Sequence, residues 1–330
     1  MSEQMIRVGI ASFAHLHAMS YAHAVNQLEG ATLTGIWDED PERGQKYAAQ
    51  FNTTFYSDLD SLLDAIDTVI VASANVDHKP LVLAAAAKKV PVLCEKPLAT
   101  TPADAREMIE ACAKAGVQLG TAFPVRYSDA VRKLRDAVQS GALGQTLMIR
   151  GTNRGTYPGG WFGQREKSGG GAVMDHTVHV ADIVGWIWEC DFAEVYAEAA
   201  TRFHDTEVDD CGMLLATLAN GVTLSLDPSW SRPNQSFPTW GDVTLEVTGT
   251  DGVASIDVFN QNNELFNNQT VRAQWQNWGD NLDYLMIKDW VEAIRDGKPA
   301  PISGEDGLRA VLLVEAAYRS VESHQPEKVG

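Results

Sequence analysis

The chain has 330 residues, with 26 basic and 44 acidic side chains and a formal net charge of −18. A charge of this sign repels nucleic-acid phosphates and anionic membrane surfaces, so neither is expected as a generic partner. The length predicts about two domains. A hydrophobic content of 45% with 21% charged residues is typical of a folded protein.

The four cysteines contain no pair at the CxxC spacing of a zinc or redox motif. Free thiols in a chain of this length are typical of a reducing cytosol. The first residues lack the basic and apolar regions of a signal peptide, and no run of about 18 apolar residues predicts a transmembrane helix. The sequence therefore predicts a cytoplasmic protein without a metal.

Short runs rich in valine and isoleucine alternate with helical patterns over the first third of the chain. The predicted strands are Ile6–Ile10, Thr32–Trp37, Thr68–Ala72, Val90–Cys94 and Val117–Ala122. The predicted helices are Leu16–Glu29, Pro41–Phe51, Lys79–Lys88 and Pro102–Ala115. This alternation predicts a doubly wound parallel sheet, the Rossmann type, as a first α/β domain over residues 1–124.

After Pro124 the pattern changes, and we expect a second α/β domain over residues 125–330. Its predicted helices are Ser128–Ser140, one that begins at Ala172, Leu282–Arg295 and Leu308–Val321. Its predicted strands are Leu147–Asn153, Glu194–Ala200, Met213–Leu218, Val222–Leu226, Val243–Val247 and Val253–Val258. Asn220-Gly221 and Asp251-Gly252 are typical of tight hairpin turns, so this sheet is expected to be open and mainly antiparallel.

The first strand is followed by Ser12–His17, SFAHLH, where the dinucleotide fingerprint GxGxxG usually stands. All three glycines are missing, and His17 at the third position is expected to push the helix away from the sheet. Our hypothesis is that the backbone N–H groups of Phe13–Leu16 still hold NAD, with His15 or His17 adding a contact near the phosphates or the substrate. The loop residues expected at the cofactor are Ser12, Phe13, Ala14, His15 and Leu16.

Asp38 ends the second strand, where an acid that accepts the ribose hydroxyls belongs. Glu39 and Asp40 follow it, and three acids would repel a 2′-phosphate. The pattern therefore favours NAD over NADP. The alternative is an ordinary solvated acidic turn before a helix.

Glu95-Lys96-Pro97 follows the fourth strand, at the strand end where ligands bind in a doubly wound sheet. Pro97 lacks an N–H and forces a turn, which fixes the lysine beside the crevice. An alternative interpretation is a surface salt bridge between Glu95 and Lys96.

Gly169–Gly171 precedes a helix on which Asp175 and His179 share one face at the i, i+4 spacing. A carboxylate beside a histidine can orient its ring, as a general base requires. The alternative is a structural Asp–His pair, and His176 is expected to pack or cap. A metal site at these residues is disfavoured, because a third ligand would come from the wrong face.

These motifs together resemble the Gfo/Idh/MocA family of nicotinamide-dependent oxidoreductases along essentially the whole chain. Further matching features are Asn75, His78, Arg126, Gly141–Gly144, Val208–Asp210, Asn220-Gly221 and Gly304–Ser320. Two positions depart from the family pattern besides the loop, since Ala74 and Thr177 stand where proline and glycine are usual.

The resemblance implies hydride transfer between a nicotinamide and a carbinol carbon of a sugar or polyol. It also implies a homodimer or homotetramer formed through the second sheet. The catalytic residues would be Lys96, Asp175 and His179. The cofactor would also contact Asp38, Ser73, Asn75, His78, Glu95, Lys96 and Arg126. Residues expected at the substrate are Arg154, Tyr157, Trp161, Arg165 and His176, and Trp230 is a further wall residue.

Two alternatives use the same fold. One is an oxidoreductase or lyase that keeps NAD bound and recycles it within a turnover. The other is a non-catalytic sensor, which the missing glycines support.

Overall fold

The computed structural model describes residues 5–269, 271 and 274–330, and these divide into two compact units. The first unit runs to Pro124 and includes residues 281–308, while the second contains residues 125–280 and 309–330. The division at Pro124 lies where the sequence pattern changes. The placement of residues 281–308 differs from the expected second domain of 125–330.

The first unit contains a parallel six-stranded sheet of order β3-β2-β1-β4-β5-β6. Its strands are β1 (Ile6–Ala11), β2 (Ala31–Trp37), β3 (Thr54–Phe55), β4 (Thr68–Val71), β5 (Val92–Cys94) and β6 (Leu119–Thr121). The helices that follow them are α1 (His17–Gln27), α2 (Pro41–Gln50), α3 (Leu59–Ala65), α4 (His78–Ala87) and α5 (Pro102–Ala115). This order reverses direction between β1 and β4, which confirms the doubly wound prediction.

The helix α9 (Leu282–Asp296) packs in the first unit, although it lies far along the chain. Trp290 is 1% exposed, and its Nε1 donates to Thr68 Oγ1 on β4 at 3.0 Å. Gly120 on β6 lies so close to the Trp290 ring that a Cβ there would overlap with it. An amphipathic pattern shows that a helix has a buried face but not which sheet covers that face, so the sequence did not predict this placement.

The second unit contains a mixed seven-stranded sheet of order β12-β11-β7-β10-β9-β8-β15. Only β10 and β7 pair in parallel among its described strand pairs, which confirms a mainly antiparallel sheet. The strands are β7 (Thr146–Thr152), β8 (Phe192–Ala200), β9 (Cys211–Leu218), β10 (Thr223–Asp227), β11 (Thr244–Gly249), β12 (Val253–Asp257) and β15 (Glu327–Lys328). A separate hairpin consists of β13 (Asn262–Leu265) and β14 (Gln274–Asn277).

The helices of the second unit are α6 (Asp129–Gln139), α7 (Arg165–Ser168), α8 (Ala172–Trp188) and most of α10 (Gly304–Ser323). The first half of α8 is buried throughout, which fits a helix covering the sheet. Among the described helices, none combines the length and apolar character needed to cross a membrane.

Candidate active site

A left-handed turn at Ser12 ends β1 and leads toward α1. Ser12 is fully buried and has φ +74°, a conformation that glycine adopts readily and L side chains adopt rarely. Its Oγ accepts a hydrogen bond from the Ala14 N–H at 3.1 Å. Ser12 therefore makes the turn that the first glycine of the fingerprint usually makes.

The N–H groups of this loop are largely used inside the protein. Phe13 N donates to Asp38 Oδ2 at 2.8 Å, and His15 N donates to the Ala72 carbonyl at 2.9 Å. With the Ala14 bond, three of the four N–H groups expected to hold NAD already have acceptors. The structure therefore leaves less of this loop for a phosphate than our hypothesis required.

The Asp38 carboxylate lies buried at the carboxyl end of β2, as predicted. It accepts from Phe13 N and Asp40 N, and it forms an ion pair with Arg43, whose Nη2 lies 2.6 Å from Oδ1. Arg43 Nη2 also lies 2.6 Å from Glu39 Oε1. Arg43 thus occupies acceptor positions that ribose hydroxyls would use, and it offsets part of the acidity that we expected there.

Arg43 was not recognised in the sequence, although its i, i+4 spacing from Glu39 was a readable signal. Asp40 has a different role from its neighbours, because it caps α2 by accepting from Glu42 N at 3.0 Å.

A buried network joins the loop to the turn after β5. Glu95 is fully buried, and its Oε1 lies 2.9 Å from His17 Nδ1 and accepts a hydrogen bond from the Tyr21 hydroxyl. Burial disfavours the charge of Glu95, but the attraction of His15 and His17 outweighs it and holds the pKa of Glu95 well below its ordinary value. Tyr21 was missed in the sequence, although it lies four residues after His17 on α1.

The turn with Lys96 is held from two sides. Lys96 is 4% exposed, and its N–H donates to Glu95 Oε2 at 2.8 Å. His78 Nδ1 lies 3.0 Å from the Pro97 carbonyl. Burial lowers the pKa of His78, so a neutral ring donates its Nδ1–H to that carbonyl. The alternative of a surface salt bridge between Glu95 and Lys96 is contradicted, because both side chains are buried.

Ser73 and Asn75 follow β4 and are both buried, at the same edge of the sheet as the Lys96 turn. Ser73 Oγ donates to the Ala74 carbonyl at 3.1 Å. The 3-10 turn that begins at Asn75 leads directly to His78 at the start of α4.

Asp209 holds the start of α8 in the second unit. Its carboxylate accepts from Gly171 N at 3.1 Å, from Val173 N at 2.8 Å and from the Tyr318 hydroxyl at 2.8 Å. A Cβ on Gly171 would overlap with the Asp209 carbonyl oxygen. Burial and the Asp209 charge raise the pKa of Tyr318 well above its ordinary value, so the hydroxyl keeps its proton.

Asp175, His176 and His179 lie together on the buried first half of α8. Asp175 Oδ2 lies 3.3 Å from His176 Nε2 and accepts from Trp230 Nε1 at 3.2 Å. His176 Nδ1 lies 3.0 Å from the Pro228 carbonyl, so both ring nitrogens face oxygen atoms. His176 is therefore a direct partner of Asp175, a role beyond the packing or capping that we expected.

The arginines expected near the cofactor or substrate have acidic or carbonyl partners within the second unit. Arg126 makes a buried bidentate pair with Asp182, with Nε–Oδ2 2.8 Å and Nη2–Oδ1 2.5 Å. Arg154 Nη2 lies 3.3 Å from Asp242 Oδ2. Arg165 Nη2 donates to the Glu207 carbonyl at 3.3 Å. Each of these three guanidinium groups therefore has a partner within the second unit.

The aromatic residues expected at the substrate pack together with Phe162. Phe162 and the fully buried Trp230 belong to one hydrophobic cluster, and Tyr157 and Trp161 pack against it. The Trp161 ring is stacked on Phe162 at 3.9 Å, and the Tyr157 and Trp230 ring centroids are 5.3 Å apart. Packing is thus a demonstrated role for all four.

The first unit fits a dinucleotide in three respects. The strand order places a switch point between β1 and β4, where such ligands bind. Ser12 supplies the left-handed turn, and Asp38 supplies an acid at the end of β2. The uncommon feature is the loop itself, where side chains replace glycine.

Family models match both halves of the chain. A model described as "Oxidoreductase family, NAD-binding Rossmann fold" matches residues 6–123, and the GFO/IDH/MocA C-terminal domain matches residues 131–255. A 1,5-anhydro-D-fructose reductase of Ensifer adhaerens is 32% identical over 231 residues, which is 68% of this chain and 67% of that protein. A myo-inositol 2-dehydrogenase of Thermotoga maritima is 26% identical, covering 98% of both chains.

Among solved structures, that of GenD2 from gentamicin A biosynthesis, in complex with NAD, superposes with a TM-score of 0.90. It is 24% identical in sequence, and the match covers 99% of this chain and 97% of that one. This similarity supports the fold. The family matches confirm the resemblance that the motifs indicated, and with it the NAD cofactor and the class of enzyme. The chain belongs to the Gfo/Idh/MocA family of NAD-binding oxidoreductases.

Proposed function

We propose that this protein is an NAD-dependent dehydrogenase that moves a hydride between the nicotinamide and a carbinol carbon of a sugar or polyol. The observation that carries the proposal is the buried α8 face with Asp175, His176 and His179, in a chain that matches both family models. The similar proteins named as inositol dehydrogenase and anhydrofructose reductase act on polyhydroxylated compounds, which supports the substrate class.

In the first unit, we assign Lys96 to electrostatic stabilisation of the reacting oxygen. When bound, NAD supplies the carbon that accepts or donates the hydride. The Lys96 side chain is buried, and two hydrogen bonds fix its backbone: its own N–H donates to Glu95, and the Pro97 carbonyl accepts from His78. A preorganised cation of this kind stabilises charge that develops on an alcohol oxygen. Ser12–Leu16, Asp38, Ser73, Asn75 and His78 are the proposed cofactor residues of this unit.

In the second unit, we assign His179 as the base that takes the hydroxyl proton during oxidation. The ordinary pKa of a histidine side chain is close to the pH at which most enzymes work, so a neutral imidazole is available to accept a proton. Asp175 is held by Trp230 Nε1 and His176 Nε2, so its carboxylate is fixed in direction. We assign Asp175 to positioning a substrate hydroxyl or the His179 ring, and His176 to holding Asp175.

The experiment is an assay of NADH formation with purified protein, NAD⁺ and a panel of inositols, aldoses and sugar acids. We expect at least one polyol or sugar to be oxidised. His179→Gln and Lys96→Met should each lower turnover by about 100-fold or more. The matched controls are His324→Gln and Lys79→Met, which change exposed or half-exposed side chains. Equal rates in all four variants would contradict the assignment, and no turnover with any polyol would contradict the substrate class.

We further propose that the second sheet forms a homodimer or homotetramer interface. Met148 on β7 and Met213 and Leu215 on β9 are each about half exposed, which places three apolar side chains on the open face of the sheet. Leu215→Lys should lower the mass measured by sedimentation equilibrium to that of one chain. An unchanged mass, or a single-chain mass for the unmodified protein, would refute this interface.

All four cysteines are free thiols. We propose a cytoplasmic location on this basis, because free thiols persist in a reducing compartment. Fractionation of cells that express the tagged protein tests this, and recovery outside the cytosol would contradict it.

A further inference from the structure

The loop of the first unit has few N–H groups left for the cofactor's pyrophosphate. Phe13, Ala14 and His15 donate to Asp38, Ser12 and Ala72. In a glycine-rich loop these groups and the helix N-terminus hold the phosphates. A positive charge at the start of α1 would compensate for the N–H donors that the pyrophosphate lacks.

His17 is the first residue of α1, and its side chain is 28% exposed, whereas the Glu95 side chain that it contacts is fully buried. The imidazole Nδ1 lies 2.9 Å from Glu95 Oε1. His17 therefore joins the start of the cofactor-loop helix to the turn that carries Lys96. The titratable and charged groups that face it are His15, Tyr21, Glu95, Lys96 and Asp283.

Burial of His17 opposes its positive charge, but the attraction of Glu95 and their hydrogen bond outweigh burial. The pKa of His17 consequently lies above its ordinary value of 6.5. Asp283 adds to this rise, and Lys96 works against it. A neutral His17 can keep its hydrogen bond to Glu95 by holding its proton on Nδ1, so deprotonation removes a charge and leaves the contact.

We propose that His17 is a positioning residue whose positive charge replaces the lost glycine-loop donors and makes the affinity for NAD fall as the pH rises. The charge acts in two ways. His17 is the first residue of α1, and a helix N-terminus is the place where this kind of fold holds a phosphate. Its charge also balances the buried Glu95 carboxylate, which accepts a hydrogen bond from the Lys96 N–H. This inference rests on the proposed function, because it concerns the binding of the same cofactor.

Two histidines and a carboxylate are also a combination that binds zinc. Potential ligand atoms of His15, His17 and Glu95 lie within 4.8 Å of one another. Here His15 Nδ1 accepts a hydrogen bond from the His17 backbone N–H at 3.2 Å. Glu95 Oε1 forms hydrogen bonds with His17 Nδ1 and with the Tyr21 hydroxyl. His15 Nδ1, His17 Nδ1 and Glu95 Oε1 are thus already engaged in hydrogen bonds, and a proton on His17 supplies the balancing charge.

The first test is titration with NADH, followed by protein fluorescence, from about pH 6 to about pH 9 at constant ionic strength. The unmodified protein should bind at least about fivefold more weakly at the upper end. His17→Gln keeps a neutral donor, so its affinity should be weaker and nearly independent of pH. The matched control is His23→Gln, an exposed residue on the same helix whose ring meets Phe51 edge to face. The control should keep the full pH dependence.

Of the two substitutions, only His17→Gln should abolish the pH dependence of the affinity for NADH. An unchanged slope in His17→Gln, or a lost slope in His23→Gln, overturns the inference. NADH binding that is flat with pH in the unmodified protein overturns it and leaves the proposed function standing. Absence of NADH binding at every pH overturns both.

A second measurement needs no variant. Calorimetric titration with NADH near pH 7.5 in two buffers of different ionisation enthalpy should reveal net proton uptake, because the bound state favours charged His17. Zero uptake or proton release overturns the inference. The same titration is repeated after dialysis against EDTA and after addition of Zn²⁺. Unchanged NADH binding supports protonation of His17 as the cause of the pH dependence. Loss of the pH dependence after EDTA treatment overturns the inference and indicates a bound metal ion instead.

Discussion

The loop that leads into α1 and the loop that leads into α8 both deliver site residues at the start of a helix, but they treat glycine in opposite ways. The first has lost all three fingerprint glycines, while the second keeps Gly169–Gly171. At Ser12 the left-handed turn tolerates a side chain, whose Oγ satisfies the Ala14 N–H. At Gly171 the Asp209 carbonyl occupies the space of a Cβ. A strained conformation can thus be compensated locally, whereas an overlap with backbone cannot.

Gly171→Ala should have the largest effect. The new Cβ displaces the Asp209 carbonyl and the hydrogen bonds that begin α8, so we expect a loss of about 4 kcal/mol or more in the free energy of unfolding. Chemical denaturation measures this. Gly116→Ala is a useful comparison, because φ there is +70° but no atom lies within 4 Å of the added Cβ. Equal losses of stability in the two variants would show that the effect comes from the backbone conformation of the glycine and not from the overlap of the added Cβ.

Asp209→Asn should come next. The neutral amide keeps one acceptor oxygen, so the N–H groups of Gly171 and Val173 both lose a charged partner and one of them loses its acceptor. We expect a loss of about 2 kcal/mol. Tyr318→Phe removes only the hydroxyl bonds and should cost about 1 kcal/mol. If Tyr318→Phe lowers the free energy of unfolding more than Asp209→Asn does, the Asp209 carboxylate is not the group that stabilises the start of α8.

Stability should depend on pH through the pair of His17 and Glu95. The folded pKa of His17 is raised, so its contribution is complete below about pH 6.5 and is lost as the pH rises through the folded value. The folded pKa of Glu95 is depressed, so its contribution is present above about pH 4.5 and is lost on acidification below it. Thermal midpoints across this range should therefore form a maximum. In His17→Gln the alkaline slope should shrink, and an unchanged slope would assign it to other groups.

Ser12→Gly should have the smallest effect. Ser12→Gly relieves the left-handed strain but loses the bond to Ala14 N and adds chain entropy, so we expect a change within about 0.5 kcal/mol. Ser12→Ala keeps the strain and loses the bond, which should cost about 1 kcal/mol. Equal stability of Ser12→Ala and the unmodified protein, measured by chemical denaturation, would show that the Oγ does not support the turn.

Most of the fold could be predicted from the sequence because its signals are local. Val/Ile runs at the first strands, and the hairpin at Asn220-Gly221, need no knowledge of distant residues. Two elements were missed between residues 52 and 67. The strand Thr54–Phe55 is too short to show a period, but Asp58 was a readable cap for Leu59–Ala65, accepting from Ser61 N at 2.8 Å.

The site was predictable in its residue types but not in its pairing. Asp38, Glu95 and Asp175 could be selected from motifs, yet each carboxylate bonds to groups that motifs do not mention. Arg43 holds Asp38, and Trp230, 55 positions along the chain, donates to Asp175. These pairings depend on how strands and helices meet in space, which a one-dimensional pattern does not contain.

The position of α9 bears on the order in which the protein can be built during synthesis. The sheet of the first unit lacks its Trp290 cover until residues 281–308 have left the ribosome, after the whole of 125–280. Until then Thr68 Oγ1 lacks the indole N–H that it accepts from Trp290, and the space beside Gly120 that the Trp290 ring fills is empty. A nascent chain that ends before residue 281 therefore carries an incomplete nucleotide-binding unit. The uncovered sheet is open to chaperone binding for as long as residues 125–280 take to be synthesised.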